Sequence, residues 1–368
     1  NIVRIDAGEE YDTDDALNNK YRRAADFLDQ WQKEGILVRS SKDSFYAYEM
    51  DYRTTEGRKR MVGFFGLVRL QELGNGIYPH EETHSKPKVD RLNLMTACKA
   101  NTSPIFSLYN SPARKASRIL ERIRETVPYL EVGDPHGAIH RLWSIERTDH
   151  IVTIKSDLEG KAVFIADGHH RYETALEFQR MAGKSGRDEP FNFVLMFLTN
   201  IADGGITILP THRIIRYNTG EILNKLSEHF EIQAFQADAD ITAIMRNRTH
   251  TLGLFLKGDP QQYLLGYTGT WLTELPASLQ GLDVAILHTL IFRKLLNVSD
   301  ILYEMDPGIA QHKVRDGDYD AVFFLNPTRV EDVERVALSS ARMPPKSTYF
   351  YPKVMTGFII NSLNTSFL

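Results

Sequence analysis

The chain of 368 residues has a single cysteine, Cys98. One thiol excludes an internal disulfide framework and fits a reducing compartment, so a cytoplasmic location is expected. Nothing near Cys98 in sequence would activate it, and it reads as an inert buried thiol rather than a nucleophile. No apolar run approaches the roughly 18 residues that span a bilayer. An excess of positive charge is also lacking: 44 Lys and Arg stand against 48 Asp and Glu, a net charge of -4. That balance argues against a dedicated nucleic-acid binder, whose affinity comes mainly from neutralising phosphates, but leaves room for a local basic patch. There is no G-x-x-x-x-G-K and no G-x-G-x-x-G, which excludes P-loop and Rossmann chemistry. Internal repeats and low-complexity stretches are missing as well. What is present is ordinary globular material, 42% hydrophobic and 25% charged, enough for two domains with sizeable cores.

The most informative stretch runs from Ala162 to Leu176. Val163 to Ile165 reads as a buried strand, Asp167-Gly168 as a turn, and the following residues as an amphipathic helix with Ala175, Leu176 and Phe178 on one face. The junction gathers Asp167, Gly168, His169, His170 and Arg171 where helix N–H groups are unsatisfied and the helix dipole is positive. Such a mouth is suited to an anion. Gly168 lets the backbone approach it, and a guanidinium such as Arg171 can grip two phosphate oxygens. A helix cap alone would account for Asp167 and Gly168, worth about 1 kcal/mol, but not for two imidazoles and a guanidinium beside them.

Periodicity predicts a helix over Asp12 to Gly35, strands over Phe45 to Met50 and Met61 to Leu70, and helices over Leu92 to Ala100 and Ala113 to Thr126. Asn1 reads as lying inside a strand, and Ala138 to Trp143 and Asp149 to Ile154 read as strands or strand-like connections. Phe193 to Leu198 and Thr207 to Leu209 read as strands. From about residue 218 helix and strand alternate: Glu221 to Phe230, Ile232 to Phe235, Ile241 to Arg246, Thr251 to Leu256, the apolar helix Leu282 to Leu296, and the strand Ala321 to Leu325. We therefore expect an α+β protein, with a catalytic domain over 1–217 and a C-terminal α/β domain over 218–368. The closing segment 346–360 is expected to return to either domain, and so to the site.

Several other groups are candidates for chemistry. His80-Glu81-Glu82-Thr83-His84 fits H-E-x-x-H, but flanking Pro79 and Pro87 and the lack of apolar periodicity oppose the regular helix that zinc chemistry needs. We expect instead a loop facing the Asp167 site, with Glu81 as acid/base or metal ligand; a solvated acidic loop is the alternative. Asp90-Arg91 is either an internal ion pair or places Arg91 on a substrate carboxylate. Asn101, Ser103 and Pro104 form a structural turn or a ligand site. His212-Arg213 follows Pro210 at a strand end, where a guanidinium clamps phosphate or carboxylate, or makes a surface salt bridge. Lys346-Ser347-Thr348 and Lys353 flank Tyr349, Phe350 and Tyr351, so that rings stack a base while lysines reach phosphate, or form a packed edge. Asp283 and His288 on an apolar helix read as a cap and a satisfied core histidine.

Asp-Gly-His-His-Arg followed by Glu-Thr-Ala resembles the signature of the ParB/sulfiredoxin-like superfamily, in which a strand, a glycine turn and a helix opening with Arg bind nucleotide phosphates. The whole chain is similar to a narrower bacterial family, domain of unknown function 1015. That likeness rests on Pro79-His80-Glu81-x-Thr83 with Pro87-Lys88-x-Asp90-Arg91, Asn101-x-Ser103-Pro104-Ile105-Phe106, and Asp167 to Ala175. It continues in Leu209-Pro210-Thr211-His212-Arg213, Leu325-Asn326-Pro327-Thr328 and Met343 to Lys353. The resemblance implies a ParB/sulfiredoxin-like N-terminal core, and an N-terminal segment with a Pro-Pro-Tyr-Asp-like motif preceding Asn1. The superfamily includes kinases of free serine, reductases and nucleotide-switched DNA-binding proteins. The implied activity is phosphoryl transfer from ATP or another nucleotide, or a phosphate donor, to a small serine-like hydroxylated metabolite. Glu81, Asp167 and His170 would be catalytic, Asp167 would hold Mg²⁺, and Gly168, His169, Arg171, Arg213 and Lys346 would bind the donor. The alternatives are a nucleotide-dependent binding switch without transfer, or a phosphohydrolase.

Overall fold

A computed structural model describes residues 1–54, 57–82, 85–183 and 188–364, with the side chains of 85–87 set aside. The chain divides into two compact units. The first comprises Asn1–Pro79, Thr83–Ile206 and Pro352–Leu368; the second comprises His80–Glu82 and Thr207–Tyr351. The division falls at Ile206 rather than at 217, and the two units exchange short pieces of chain, which no shift in composition announces.

In the first unit, β1 (Phe45–Thr54), β2 (Gly57–Arg69), β3 (Ile77–Tyr78), β4 (Ala100–Asn101), β5 (Ile105–Tyr109), β6 (Leu130–Gly133), β7 (Ile139–Ile145), β8 (Val163–Asp167) and β9 (Phe193–Asn200) are the strands before Ile206. All but β4 form one eight-stranded sheet in the order β3-β8-β5-β9-β2-β1-β7-β6. Its helices are α1 (Val3–Asp6), α2 (Lys20–Lys33), α3 (Ser85–Cys98), α4 (Lys115–Ile123), α5 (Thr148–Leu158) and α6 (His169–Ala182). The central strands β5, β8 and β9 are nearly continuous apolar runs because helices cover the sheet. Ile105, Ile165, Met196, Tyr172 and Leu176 meet in the core, where α6 presses its apolar face on β8 and β5. Asn19 caps α2, its side chain accepting the N–H groups of Tyr21 and Arg22 at 3.1 Å.

Three expectations fail here: the helix expected from Asp12 begins only at Lys20, after the Asn19 cap, and two expected strands are helical. Val3–Asp6 is helical rather than a strand, and Asp149 to Ile154 lies inside α5. The β-branched run Ile151-Val152-Thr153-Ile154 has strand propensity, yet Ile151, Ile154 and Leu158 recur at helical spacing and all three contact the core.

The second unit holds β10 (Thr207–Leu209), β11 (His212–Ile215), β12 (Phe230–Gln236), β13 (Thr251–Leu256), β14 (Gln261–Tyr267), β15 (Leu302–Glu304), β16 (Ala321–Phe324) and β17 (Tyr349–Tyr351). Six of them form a sheet in the order β12-β14-β13-β16-β11-β15, and every pairing is antiparallel. This corrects the expected α/β arrangement: helices α7 (Thr219–Leu226), α8 (Ile241–Met245), α10 (Pro307–Arg315) and α11 (Val330–Leu338) accompany an antiparallel sheet. The apolar segment begins as α9 (Asp283–Ala285) and continues as a π-helix, Ile286–Leu296. The closing segment is split: β17 pairs with β10 in the second unit, whereas β18 (Asn361–Ser362) pairs with β4 in the first.

Candidate functional site

The strand–turn–helix junction forms as its sequence suggests. Asp167 ends β8, and Gly168 takes φ +97° as the residue before α6. Just before the junction β8 carries a bulge: Ser107 faces Ile165 and Phe106 faces Asp167, leaving Ala166 as the extra residue. Bulges of this kind re-aim the next side chain. Gly168 has a second reason to be glycine, because a Cβ there would lie 2.9–3.1 Å from the Arg171 guanidinium.

Arg171 is turned inward. Its Nη2 donates to Asp167 Oδ2 at 2.6 Å, and its Nη1 donates to Ser103 Oγ at 2.5 Å and to the Pro104 carbonyl. The guanidinium expected to hold phosphate is thus spent on tying the loop before β5 to the end of β8. The other Asp167 oxygen accepts from Lys353 Nζ at 2.6 Å. Burial alone would make the Asp167 carboxyl a weaker acid, but Lys353 and Arg171 outweigh it and hold the carboxyl at about 2, so it is ionised at neutral pH. Both side chains keep water contact, 35% for Asp167 and 40% for Lys353. His169 is buried and His170 partly so.

A magnesium ion is a poor fit at Asp167 in this arrangement. Both carboxylate oxygens already carry cations, Arg171 on one and Lys353 on the other. A divalent ion would have to displace Lys353.

The remaining motif residues of the first unit build structure around the junction. Asp90 pairs with Arg91 at 3.0 Å and with Lys20 at 2.6 Å, and Arg91 also donates to the Asp6 carbonyl at 2.8 Å. This favours the internal ion pair over a free Arg91. Asn101 Oδ1 accepts from Leu195 N at 3.1 Å and from Asn361 Nδ2 at 2.9 Å. Cys98 is buried, and burial pushes its thiol up to about 12, in keeping with an inert group.

Glu81, Arg213 and Lys346 belong to the second unit. His80 to Glu82 is extended, bridging Met343 rather than forming a helix, and His84 lies outside the described residues. Glu81 Oε1 accepts both the backbone N–H and the hydroxyl of Thr348 at 2.8 Å, and His80 Nε2 is 2.8 Å from the same hydroxyl. Arg213 is 1% exposed. It donates to the carbonyls of Thr211 and Lys346 (2.9 Å) and to His288 Nε2 at 3.1 Å, and lies against the Tyr303 ring. A phosphate clamp and a surface salt bridge are both corrected by this: the side chain is a buried pin. Burial lowers its affinity for the proton to about 10, with Tyr303 and Glu81 opposing. Burial and Arg213 together push His288 down to about 3, so it accepts as a neutral imidazole, the satisfied core histidine expected. Lys346, at φ +58°, contributes its carbonyl to Arg213 while its side chain is exposed.

A family model described as "Protein of unknown function (DUF1015)" matches residues 1–285. The chain belongs to this family. No curated protein matches this DUF1015 chain. Among solved structures it is similar to a free serine kinase in complex with AMP, at 14% identity and a TM-score of 0.41, over 78% of this chain and 86% of that one. It is similar too to SbnI with a C-terminal truncation from Staphylococcus aureus, at 13% identity and 0.42, over 82% and 90%. A conserved hypothetical protein from Pyrococcus furiosus gives 13% and 0.41, over 81% and 95%. Likenesses at this distance assign no activity.

Lys353 lies in the closing segment expected to return to the site, but its partner Asp167 is not indicated by the sequence. It stands among the aromatics of the closing segment, whose later residues join the first unit through β18 on β4 and through contacts of Met355 with Tyr48 and Thr356 with Ser103. Its separation from Asp167 by 186 positions leaves no local signal.

Proposed function

We propose that this DUF1015 protein binds the phosphates of a nucleotide or phosphate donor at the Asp167–Arg171 junction and transfers a phosphoryl group to a small hydroxylated metabolite. The observation that carries the reading is Lys353 Nζ held 2.6 Å from an ionised, water-accessible Asp167 at the N-terminal end of a 14-residue helix. A helix leaves its first amides without intrahelical partners and presents positive potential there, and the ammonium adds a cation at the same mouth. In this reading Gly168, His169 and Lys353 bind the donor, Asp167 orients Lys353, and Arg171 fixes the loop of Ser103 and Pro104 rather than touching phosphate. A carboxyl held at about 2 is too weak a base for a hydroxyl. We give that task to His170, because imidazole is the side chain that ordinarily titrates near neutrality. The acceptor oxygen bonds to phosphorus as the bond from phosphorus to the donor's leaving oxygen breaks, and the hydroxyl proton passes to His170.

The test joins binding and turnover. Nucleoside triphosphates are screened for thermal stabilisation with and without Mg²⁺, and a panel of hydroxylated metabolites is assayed for phosphorylated product. Lys353→Ala is expected to weaken donor binding about tenfold or more, while His170→Ala spares binding and lowers turnover about 10²–10⁴-fold. Tight binding with no transfer to any acceptor would leave a binding switch, and release of inorganic phosphate alone would make the protein a phosphohydrolase.

A further inference from the structure

Away from the Asp167 junction, the first unit has an open groove of about 680 Å³ between α4 and the segment that joins β7 to α5. Ile123, partly exposed, lies in its lining above the buried Ile119 and Ile145, and Lys115, Arg118 and Arg122 stand along one bank. Spacings of three, four and seven put these cations on one face of α4, over about 10 Å of helix.

Their lack of partners is local and specific. Arg114 is held by Asp203 at 2.7 Å and Glu121 at 2.9 Å, and Arg124 by Glu49. Arg141 is held by Glu49 at 2.7 Å and Asp51 at 2.8 Å. Among the described residues Lys115, Arg118 and Arg122 have no carboxylate partner. The carboxylates in the lining are already neutralised, Asp149 by Arg147 at 2.7 Å and Glu146 by Lys42 at 3.1 Å. The groove therefore keeps three uncompensated positive charges in a chain whose net charge is -4. Helix stabilisation does not explain the stripe. Lys115 opens α4, the end at which the dipole disfavours a cation, and the preceding Arg114 supplies no cap.

We propose that this groove is a second binding site, for a small molecule carrying two or more adjacent phosphates on an apolar or aromatic body, as in a nucleoside diphosphate. Arg118 and Arg122, one helical turn apart, grip neighbouring phosphates, Lys115 adds a point charge, and the body lies against the part-exposed Ile123. The volume falls within the range of about 300–1,000 Å³ usual for small-molecule sites. This site is independent of the phosphoryl-transfer reading.

Calorimetry decides it, with ADP, inorganic tripolyphosphate and a single-stranded oligonucleotide as probes. Measurements at physiological salt use the full chain carrying Lys353→Ala, so that the junction is weakened and the groove is not. ADP and tripolyphosphate are expected to bind, with affinity falling at least tenfold in Arg118→Gln/Arg122→Gln. Both positions are exposed and unpaired, so the melting temperature of that variant without ligand should match its parent. Unchanged binding of both probes in the double variant overturns the proposal, as does the absence of binding with Arg118 and Arg122 intact. An oligonucleotide that binds more tightly than ADP and loses affinity in the same variant overturns it too, in favour of a nucleic-acid surface. Loss of nucleotide binding through Lys353→Ala alone would sink this proposal while leaving the junction's role standing.

Discussion

Gly168 meets two demands at the residue scale, a positive φ and space for the Arg171 guanidinium. Gly168→Ala should cost about 1–3 kcal/mol, since an alanine at φ +97° is strained and its Cβ must push the guanidinium aside. Urea denaturation measures the loss, and a cost under about 0.5 kcal/mol would show that the guanidinium yields freely. Asp167 gives a prediction in pH. Its carboxyl is held at about 2 against an ordinary 3.8, so its protonated form is disfavoured in the folded state. A depressed carboxyl adds stability above its unfolded value, and that stability fades as pH falls from about 4 toward 2. Asp167→Asn should therefore melt below wild type at pH 7, and the gap should narrow over that acid window. Because the group is about one-third exposed, solvent screening keeps the gap small. A gap that is constant with pH would mean that the pairs with Lys353 and Arg171 contribute nothing measurable.

Arg213 acts at the scale of an element, joining β11 to the loop that carries Thr348. Its guanidinium reaches the carbonyls of Thr211 and Lys346 and the His288 ring at once, a fork that an ammonium cannot reproduce. Arg213→Lys should leave at least one buried carbonyl unpaired and cost about 2–4 kcal/mol, read from the denaturation midpoint. A near-neutral result would show that the loop closes without this pin. Buried arginines of this kind are illegible in sequence, where Pro210-Thr211-His212-Arg213 reads as an exposed strand end. Local signals read better. Thr251–Leu256 is the strand expected, because an apolar β-rich run between turn residues admits few alternatives. The Asp167 junction is legible for the same reason, its strand, glycine and helix being consecutive. The contacts of Ser103 with Arg171, Glu81 with Thr348 and Lys353 with Asp167 depend on segments that meet only after folding, and no spacing encodes them.

For the whole molecule, the chain's route between its units sets what can be cut away. Pro352 onward belongs to the first unit although the second unit precedes it in sequence. That tail supplies Lys353 to Asp167, Asn361–Ser362 to β4 and the buried Leu363 to the core. A chain ending at Tyr351 should therefore lose more than a surface tail. Removing a buried leucine side chain alone costs about 2–5 kcal/mol, and the lost strand pairing adds to it. The shortened chain should also bind a phosphate donor about tenfold or more weakly, because the ammonium beside Asp167 is gone. Adding a synthetic peptide of residues 352–364 in trans should restore part of both properties, since β18 and Leu363 provide its docking contacts. The same peptide carrying Lys353→Ala should restore stability but not donor binding. Ligand-induced melting shifts separate the two effects: a donor at 100 times its dissociation constant adds about 2.7 kcal/mol of stability. If the alanine peptide rescues donor binding as well as the native one, Lys353 is a structural partner of Asp167 and the helix N-terminus alone must hold the phosphates.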